Sequence, residues 1–410
     1  MTEFRQKTLA NGLDVIAEVN PNSYAASIGF FVRTGARDEP DEISGVSHFL
    51  EHMVFKGTPR RSTADVNRQL DEMGGVSNAF TTEEATVFYI SVLPELQTRA
   101  VDLLADILRP SLREDDFNTE KNVILEEIKM YEDQPPFGID EKCRELFFEG
   151  HPLSRSVLGT HESVGRMTAA QMRAYFENRY SPGNIVVAAS GAVDFEKFVA
   201  DVESCCGAWR SRPVSRETFR PSARGGKKVY VRPSSTQEYV FLLAEAPSGR
   251  DDERYAAAVL ANIIGDDVGS RLFWELVDNG KADCASLSFC EFLDTGYFCT
   301  SLCCAPEDAA ANVRIAREVC SRAAEEGVTA EELDRARNKI LARLVMASER
   351  SRGRLFSVGN EWMVNRAYSP ISADLRIVRE MTLDRVNGVL RKYPVTPKLT
   401  VAVGPLEDLD

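Results

Sequence analysis

The 410-residue sequence lacks any apolar run of the roughly 20 residues that a helix needs to cross a bilayer. Its first residues, Met1-Thr2-Glu3-Phe4-Arg5, are polar and contain no apolar signal-peptide core. Hydrophobic residues make up 43% of the chain and charged residues 27%, which is ordinary for a soluble globular protein. We therefore predict a cytoplasmic protein without a membrane span. A removed presequence would leave no trace in this sequence.

Basic residues are in deficit, since 49 Lys and Arg face 63 Asp and Glu for a formal charge of −14. Nucleic acids and anionic membranes are bound by basic surfaces, so this balance argues against both as general partners. It is weakly compatible with basic peptide substrates. Solubility is the simpler explanation of the acidity.

No Cys-x-x-Cys pair occurs among the nine cysteines. Their number is odd, adjacent pairs such as Cys303-Cys304 are poor metal clamps, and several lie in apolar runs. These features predict reduced, mostly buried thiols of a cytosolic protein rather than a disulfide framework or a cysteine metal site.

Histidine is scarce, with four in the whole chain, yet two of them form His48-x-x-Glu51-His52. Residues four apart lie on one face of a helix, so His48 and His52 can bind one metal ion while Glu51 reaches a water on that metal. The order is the inverse of the His-Glu-x-x-His zinc helix. This motif supports the hypothesis of a zinc-dependent peptidase. We predict that His151 is a loop residue and His161 a helix-start or turn residue.

A catalytic zinc needs a third protein ligand, and Glu is a common choice. Residues 115–131 are predicted to be helical, and Glu127 is predicted to share a face with the apolar Val123 and Ile124. A carboxylate on a core-facing side is costly unless it is paired or binds metal, which favours Glu127 as the ligand. Glu120 lies two turns back on the same side. It is predicted to accept a hydrogen bond from a ligand imidazole, with a surface ion pair as the alternative.

The order of predicted elements indicates an α+β protein of two similar halves. We predict an N-terminal zinc-binding domain over residues 1–212, a linker over 213–227 rich in Pro, Ser, Arg and Gly, and a C-terminal domain without metal over 228–410. Predicted strands at 76–82 and 85–92 form a pair in the first half. Strands at 228–232 and 238–244, followed by a helix at 255–264, repeat the order in which the first half begins.

Only the first of these two halves carries the metal motif. When Arg37 is aligned with Arg250, the residues His48, Glu51 and His52 fall opposite Ala261, Ile264 and Gly265. The sequence therefore predicts a duplicated unit in which one copy has the metal helix.

Several motifs in order along the chain resemble those of the pitrilysin-type, or mitochondrial-processing-peptidase-like, zinc metallopeptidases, which are inverzincins. The resemblance is carried by the residues from His48 to Thr58, Asn78-Ala79-Phe80-Thr81, Glu120 to Glu127, Leu9-x-Asn11-Gly12-Leu13, His151-Pro152-Leu153, Leu158-Gly159-Thr160 and Ser270-Arg271-Leu272-Phe273. The spacing between His52 and Glu127 along the chain is the spacing that the family has between the second histidine and the third ligand. The resemblance covers nearly the whole chain.

This resemblance implies a fold, a cofactor and a mechanism. The two halves would face each other as a clamshell, and two such chains would form one peptidase chamber as a homodimer or heterodimer. One Zn²⁺ per chain would bind His48, His52 and Glu127. Glu51 would act as general base on the zinc-bound water and then as proton donor to the leaving amine. Asn78, Ala79, Phe80 and Thr81 would form an edge strand to which a peptide substrate adds.

One departure from the family pattern concerns the substrate clamp. Active members carry an Arg and a Tyr after the Ser-Arg-Leu-Phe match, and Val277 and Asp283 stand at those positions. A related partner subunit could supply the clamp, or Arg271 or Tyr297 could replace it. The alternatives to an independent endopeptidase are therefore the zinc-carrying subunit of a heterodimeric peptidase and a non-catalytic scaffold subunit.

Overall fold

The computed structural model describes residues 2–133, 136 and 138–409. The chain forms two compact units that interleave along the sequence. The first unit comprises Met1–Met130, Arg155–Glu217 and Met346–Ser369, and the second comprises Tyr131–Ser154, Thr218–Val345 and Pro370–Asp410. Each unit contains one β-sheet with helices packed against it. The predicted α+β class with two similar halves is confirmed.

The described chain contains the following strands: β1 (Glu3–Thr8), β2 (Asp14–Val19), β3 (Ala26–Val32), β4 (Val76–Thr81), β5 (Thr86–Val92), β6 (Ile185–Gly191), β7 (Gly226–Val231), β8 (Glu238–Ala246), β9 (Cys284–Glu291), β10 (Gly296–Cys304) and β11 (Leu399–Gly404).

Its α-helices are α1 (Val46–Val54), α2 (Thr63–Glu72), α3 (Gln97–Ile107), α4 (Glu114–Asp133), α5 (Ile139–Phe147), α6 (His161–Arg166), α7 (Ala169–Arg179), α8 (Phe195–Cys206), α9 (Arg254–Gly265), α10 (Ala309–Glu326), α11 (Ala330–Ser348), α12 (Ser351–Asn365), α13 (Ile371–Arg379) and α14 (Leu383–Lys392). Along the described chain, every helix is too short or too polar to span a membrane.

The first unit is built on a six-stranded sheet in the order β1-β2-β6-β3-β5-β4. Strand β3 is buried along its whole length because it lies between β6 and β5 and both of its faces are covered by helices. Helices α1 and α3 pack on one face, and α12 packs on the other. Strand β4 is the edge of the sheet next to α1, so a backbone edge that has no partner strand in the described part of the chain lies beside the metal-binding motif.

The sheet of the second unit repeats the pairing of the first. Its order is β7-β11-β8-β10-β9, with β7 parallel to β11 and the remaining neighbours antiparallel. Strands β2, β6, β3, β5 and β4 show the same sequence of parallel and antiparallel pairs. The predicted duplication is therefore visible in the sheet topology. Helix α9 takes the place of α1, and its Ala261, Ile264 and Gly265 are buried apolar residues.

The two compact units do not coincide with the two predicted domains, which divide the chain at a linker over residues 213–227. Residues 131–154 pack in the second unit, while residues 346–369 pack in the first. Leu355 and Val358 of α12 are buried against Phe31 of β3. Buried Arg354 also donates to the carboxylate of Glu18 in β2. These contacts join opposite ends of the chain, so local periodicity carries no sign of them.

We expect Leu355→Ala to destabilise the first unit by about 2–5 kcal/mol. The side chain of Leu355 is fully buried, so its truncation leaves a cavity in the core. Chemical denaturation, followed by tryptophan fluorescence, measures the change in the free energy of unfolding. Ser357→Ala is the control, since Ser357 is exposed on the same helix. Equal stabilities of the two variants would contradict the packing of α12.

All nine cysteines are free thiols. Five are buried and Cys284 alone is exposed, so the prediction of mostly buried thiols is confirmed. Cys303 and Cys304 lie at the end of β10 and are 6% and 1% exposed. Burial raises the pKa of both thiols, which keeps them protonated near neutral pH.

Candidate metal centre

Helix α1 begins in a fixed position because one side chain outside it accepts from its first N–H groups and because the glycine before it lies close to another segment. Gly45 precedes the helix with φ of +91°, and a Cβ at this position would lie 2.4 Å from the carbonyl oxygen of Leu158. The carboxylate of Glu39 accepts hydrogen bonds from the backbone N–H groups of Gly45 and Ser47, both at 2.7 Å. Glu39 therefore holds the helix that carries the histidines.

The structure brings the three predicted ligands together. Each of His48, His52 and Glu127 offers one ligand atom, and these atoms lie within 4.8 Å of one another. Oε2 of Glu127 is 3.9 Å from Nε2 of His48 and 3.8 Å from Nε2 of His52. Two atoms that bind one zinc ion at about 2.0–2.1 Å cannot be more than about 4.2 Å apart, so the Glu127 oxygen lies close enough to each imidazole nitrogen to share an ion with it. Among the described residues, this is the one such group of three.

The electrostatics of the His48 imidazole suit metal binding. Burial, with a smaller contribution from His52, lowers the pKa of His48 to about 3. His48 is therefore neutral across the physiological range, and a neutral imidazole has a lone pair for a metal. The ring centroids of the two histidines are 4.8 Å apart, as expected for i and i+4 on one helix face.

Glu120 orients His52, as the sequence predicts. Its carboxylate accepts a hydrogen bond of 2.9 Å from Nδ1 of His52, which leaves Nε2 free to face Glu127. Lys56 forms a 2.5 Å ion pair with the other oxygen of Glu120. Burial alone would raise the pKa of Glu120, but the hydrogen bonds from Lys56 and His52 outweigh burial and lower it. Glu120 is therefore an ionised acceptor at neutral pH.

We expect Glu120→Gln to weaken zinc binding by about 10–100-fold, because the amide is a poorer acceptor and no longer fixes the His52 tautomer. Competition with a zinc-binding dye measures the dissociation constant. Glu126→Gln, at an exposed position of α4, is the matched control and should leave affinity unchanged. If Glu120→Gln bound zinc as tightly as this control, the proposed role of Glu120 in orienting His52 would be wrong.

Glu51 is held by the edge strand. The hydroxyl of Thr81, at the end of β4, donates a 2.6 Å hydrogen bond to Oε2 of Glu51. Burial raises the pKa of Glu51 despite the opposing effect of this bond and of His52. A carboxylate with a raised pKa is a stronger base than an exposed one. Glu51 thus has the basicity and the fixed position of a general base.

The predicted substrate-binding segment forms the strand β4. Asn78, Ala79, Phe80 and Thr81 pair with β5 on one side, and the other side of β4 has no partner strand among the described residues. Thr81 points towards α1 through its bond to Glu51, whereas Phe80 packs on the α12 face. Contact of these four residues with a substrate stays a prediction.

One part of the helical-face prediction for Glu127 is wrong. Val123 is predicted to share the core-facing side with Ile124 and Glu127, but Val123 is 47% exposed while Ile124 is fully buried. The inward face of α4 is centred on Phe117, Glu120 and Ile124, with Glu127 at its margin. Successive residues of a helix point in different directions, so the two adjacent apolar residues could not locate the face.

Glu39 was missed by the sequence reasoning, which singled out no site residue ahead of the metal-binding helix. Its side chain is buried and serves the first turn of α1, and Ser47 of the same turn bonds the hydroxyl of Tyr175. The available signal was a carboxylate a few residues before a helix that lacks its own capping side chain. Such a carboxylate can satisfy the unpaired N–H groups at a helix start.

Glu39 should give stability a specific pH dependence. Burial raises the pKa of Glu39 to about 8, although the backbone N–H groups of Ser47 and Gly45 lower it in part. The folded state then keeps a proton that the unfolded state loses near its ordinary pKa of 4.5. The free energy of unfolding therefore falls as pH rises from about 5 to 8. We expect Glu39→Gln, which mimics the protonated acid, to flatten this fall in denaturation curves at pH 5, 6.5 and 8. If the free energy of unfolding fell with pH as steeply in Glu39→Gln as in the wild type, the raised pKa of Glu39 would be contradicted.

The residues considered for a substrate clamp pack against or bond to other residues of the second unit. Val277 is half-buried against the core, and Asp283 accepts a 2.7 Å hydrogen bond from Gln237. Arg271 makes two bonds to Glu332, at 2.7 and 2.8 Å. Tyr297 is 5% exposed in an aromatic cluster.

The other two histidines occupy the predicted kinds of position. His151 lies outside the helices and strands, where it is buried and contacts the backbone oxygen of Phe219 through Nε2 at 2.9 Å. His161 is the first residue of α6.

Comparisons with known proteins agree with this fold and site. The family description Insulinase (Peptidase family M16) matches residues 14–161, and the description Peptidase M16 inactive domain matches residues 166–340. An uncharacterized zinc protease of Mycobacterium tuberculosis is 34% identical over 393 residues, which cover 94% of this chain and 90% of the relative. A probable mitochondrial-processing peptidase subunit beta of Arabidopsis thaliana is 28% identical and is matched over 79% of its length by 99% of this chain.

The fold also matches that of a solved protease from Helicobacter pylori, with a TM-score of 0.90 and 20% identity over 98% of this chain and all of that one. The duplicated α+β fold is thus that of a known protease, and relatives along nearly the whole chain are named zinc proteases. The chain belongs to the insulinase family of peptidases, family M16. The resemblance seen in the sequence is confirmed.

Proposed function

We propose that this chain is a zinc-dependent endopeptidase that hydrolyses peptide bonds in peptides or unfolded segments. The observation that carries the proposal is the convergence of His48, His52 and Glu127, with Glu51 on the same helix as the two histidines. One zinc ion per chain, in the first unit, follows from this set because the second unit has apolar residues in the equivalent helix.

The donor set suits zinc, since two imidazoles and one carboxylate are the ligands of known catalytic zinc sites. The chemistry that zinc supplies when bound by such a set is a lowered pKa of water and a polarised substrate carbonyl. His48 and His52 would contribute neutral imidazoles, and Glu127 the one negative charge. Glu120 and Lys56 would keep the His52 ring in place.

Glu51 would accept the proton of the attacking water and later donate it to the leaving amine. Its basicity comes from burial, and its position comes from the hydroxyl of Thr81. Because Thr81 ends the edge strand, a peptide that adds to β4 would pass Glu51 with its backbone aligned. Recognition through the backbone predicts broad tolerance of substrate sequence.

The second candidate is the zinc-carrying subunit of a peptidase that works with a related partner. It is favoured by the second unit, because the two residues there that could replace the clamp are already in use. Arg271 is bonded to Glu332, and Tyr297 is buried. The residues at the expected clamp positions, Val277 and Asp283, are neither Arg nor Tyr, and they are packed on the core and bonded to Gln237. The match of residues 166–340 to a domain described as inactive agrees with this candidate. A scaffold role without catalysis would instead require that the metal set be unused.

One experiment separates these functions. The purified chain is loaded with zinc and mixed with quenched fluorescent peptides, alone and together with a related subunit captured from the native host. Cleavage by the chain alone supports the independent endopeptidase, and cleavage only in the mixture supports the shared enzyme. Absence of cleavage in both, with zinc bound, would contradict the proposed activity.

A further inference from the structure

A cleft of about 510 Å³ lies at the end of β4 that is farther from Glu51. It is lined by residues of the turn 20–25, by Val76 of β4 and Ser91 of β5, and by residues 349–352, where α12 begins. All of these residues belong to the first unit.

The cleft carries positive charge in a chain whose net charge is −14. Arg350 and Arg352 line it, and neither side chain has a hydrogen bond or an ion pair within the described part of the chain. Glu349 is the one carboxylate in the lining, so the lining has a net charge of plus one. Tyr24 and Val76 add exposed apolar surface, at 92% and 57% exposure. Guanidinium groups bind carboxylates in paired hydrogen bonds, so these charges favour a carboxylate ligand.

The edge of β4 leads from Glu51 to this cleft. Thr81, which bonds Glu51, is the last residue of the strand, and Val76, which lines the cleft, is the first. A peptide strand added to this edge would cover the ~17 Å between them.

The two ends of β4 present opposite faces of the sheet. Thr81 points to the α1 face, whereas Val76 shares the α12 face with Ser91, its direct partner in β5. Ser91 contacts Ser27, and Ser27 contacts Ser351 of α12, each through hydroxyls 2.8 Å apart. Side chains of an added strand alternate in the same way. A residue five positions from the one opposite Thr81 would therefore point to the cleft, while its neighbours in sequence would point away.

We propose that this cleft binds a carboxylate of the peptide substrate, five positions from the residue opposite Thr81. The inference rests on the proposed peptidase function and adds a substrate preference to it. The carboxylate comes from an acidic side chain or from the C-terminus of a short peptide.

A Glu-to-Gln scan of a quenched fluorescent peptide tests the proposal. The wild-type chain should show kcat/KM about 10-fold higher for Glu than for Gln at one position and not at its two neighbours. Amidation of the C-terminus should lower kcat/KM by a similar factor only if the terminal carboxylate occupies the cleft. In Arg350→Ala/Arg352→Ala the Glu-to-Gln ratio should fall to about one. The ratio should be kept in the control Arg210→Ala, at an exposed arginine of the first unit outside the cleft.

Equal kcat/KM for all peptides would overturn the cleft assignment and leave the peptidase function intact. If the wild-type chain cleaved no peptide, the proposed function would fail instead. The cleft is then tested without turnover, by fluorescence anisotropy of the labelled Glu and Gln peptides. Equal affinity of both peptides for the wild-type chain and the double variant would overturn the proposal.

Discussion

Glu51→Gln is expected to lower kcat for peptide cleavage by about 10²- to 10⁴-fold, the usual contribution of a general base. The amide oxygen can still accept the hydrogen bond from Thr81, so the local structure is kept while the basic oxygen is lost. Zinc content should stay at about one ion per chain because Glu51 lies outside the three-ligand set. The measurement is steady-state cleavage of a quenched peptide at matched zinc content.

The loss of activity must be separated from a loss of fold. Thermal unfolding of Glu51→Gln should resemble that of the wild type, because burial disfavours the charged form of this carboxylate. A variant with normal zinc content and wild-type kcat would show that Glu51 does not act as the base.

Glu127→Gln is expected to weaken zinc binding by more than ~100-fold. Loss of a residue that only orients a ligand costs about 10–100-fold, and loss of the one anionic ligand should cost more. Zinc per chain after dialysis, measured by atomic emission, should fall from about one towards zero. Peptidase activity should fall in parallel.

The chain offers a matched control for this substitution in the adjacent residue. Glu126→Gln removes the same charge from an exposed site on the same helix. It should keep zinc and activity, because its side chain is outside the metal set. Equal zinc loss in both variants would indicate a general electrostatic effect and would contradict a ligand role for Glu127.

The local part of the site could be predicted from the sequence because it depends on helix periodicity alone. His48 and His52 lie four positions apart on α1, and the helix makes them neighbours wherever it packs. Glu127 comes from a different helix. Its prediction combined a helical face, which was partly misplaced through Val123, with the family's spacing between His52 and the third ligand.

Long-range packing was beyond the reach of the sequence patterns. Nothing local shows that residues 346–369 pack against β3, or that Arg354 meets Glu18 in a buried pair. The role of Glu39 also depends on a fold in which residues 39 and 47 approach each other at the helix start. The cleft at Arg350 is a third case, since its lining comes from four separate parts of the chain.

The metal centre is tested most directly by anomalous X-ray scattering at the zinc absorption edge, on crystals of the zinc-loaded chain. We predict one strong peak per chain, in contact with Nε2 of His48, Nε2 of His52 and a carboxylate oxygen of Glu127. A peak bound by other residues, or no peak at full zinc loading, would contradict the proposed zinc site.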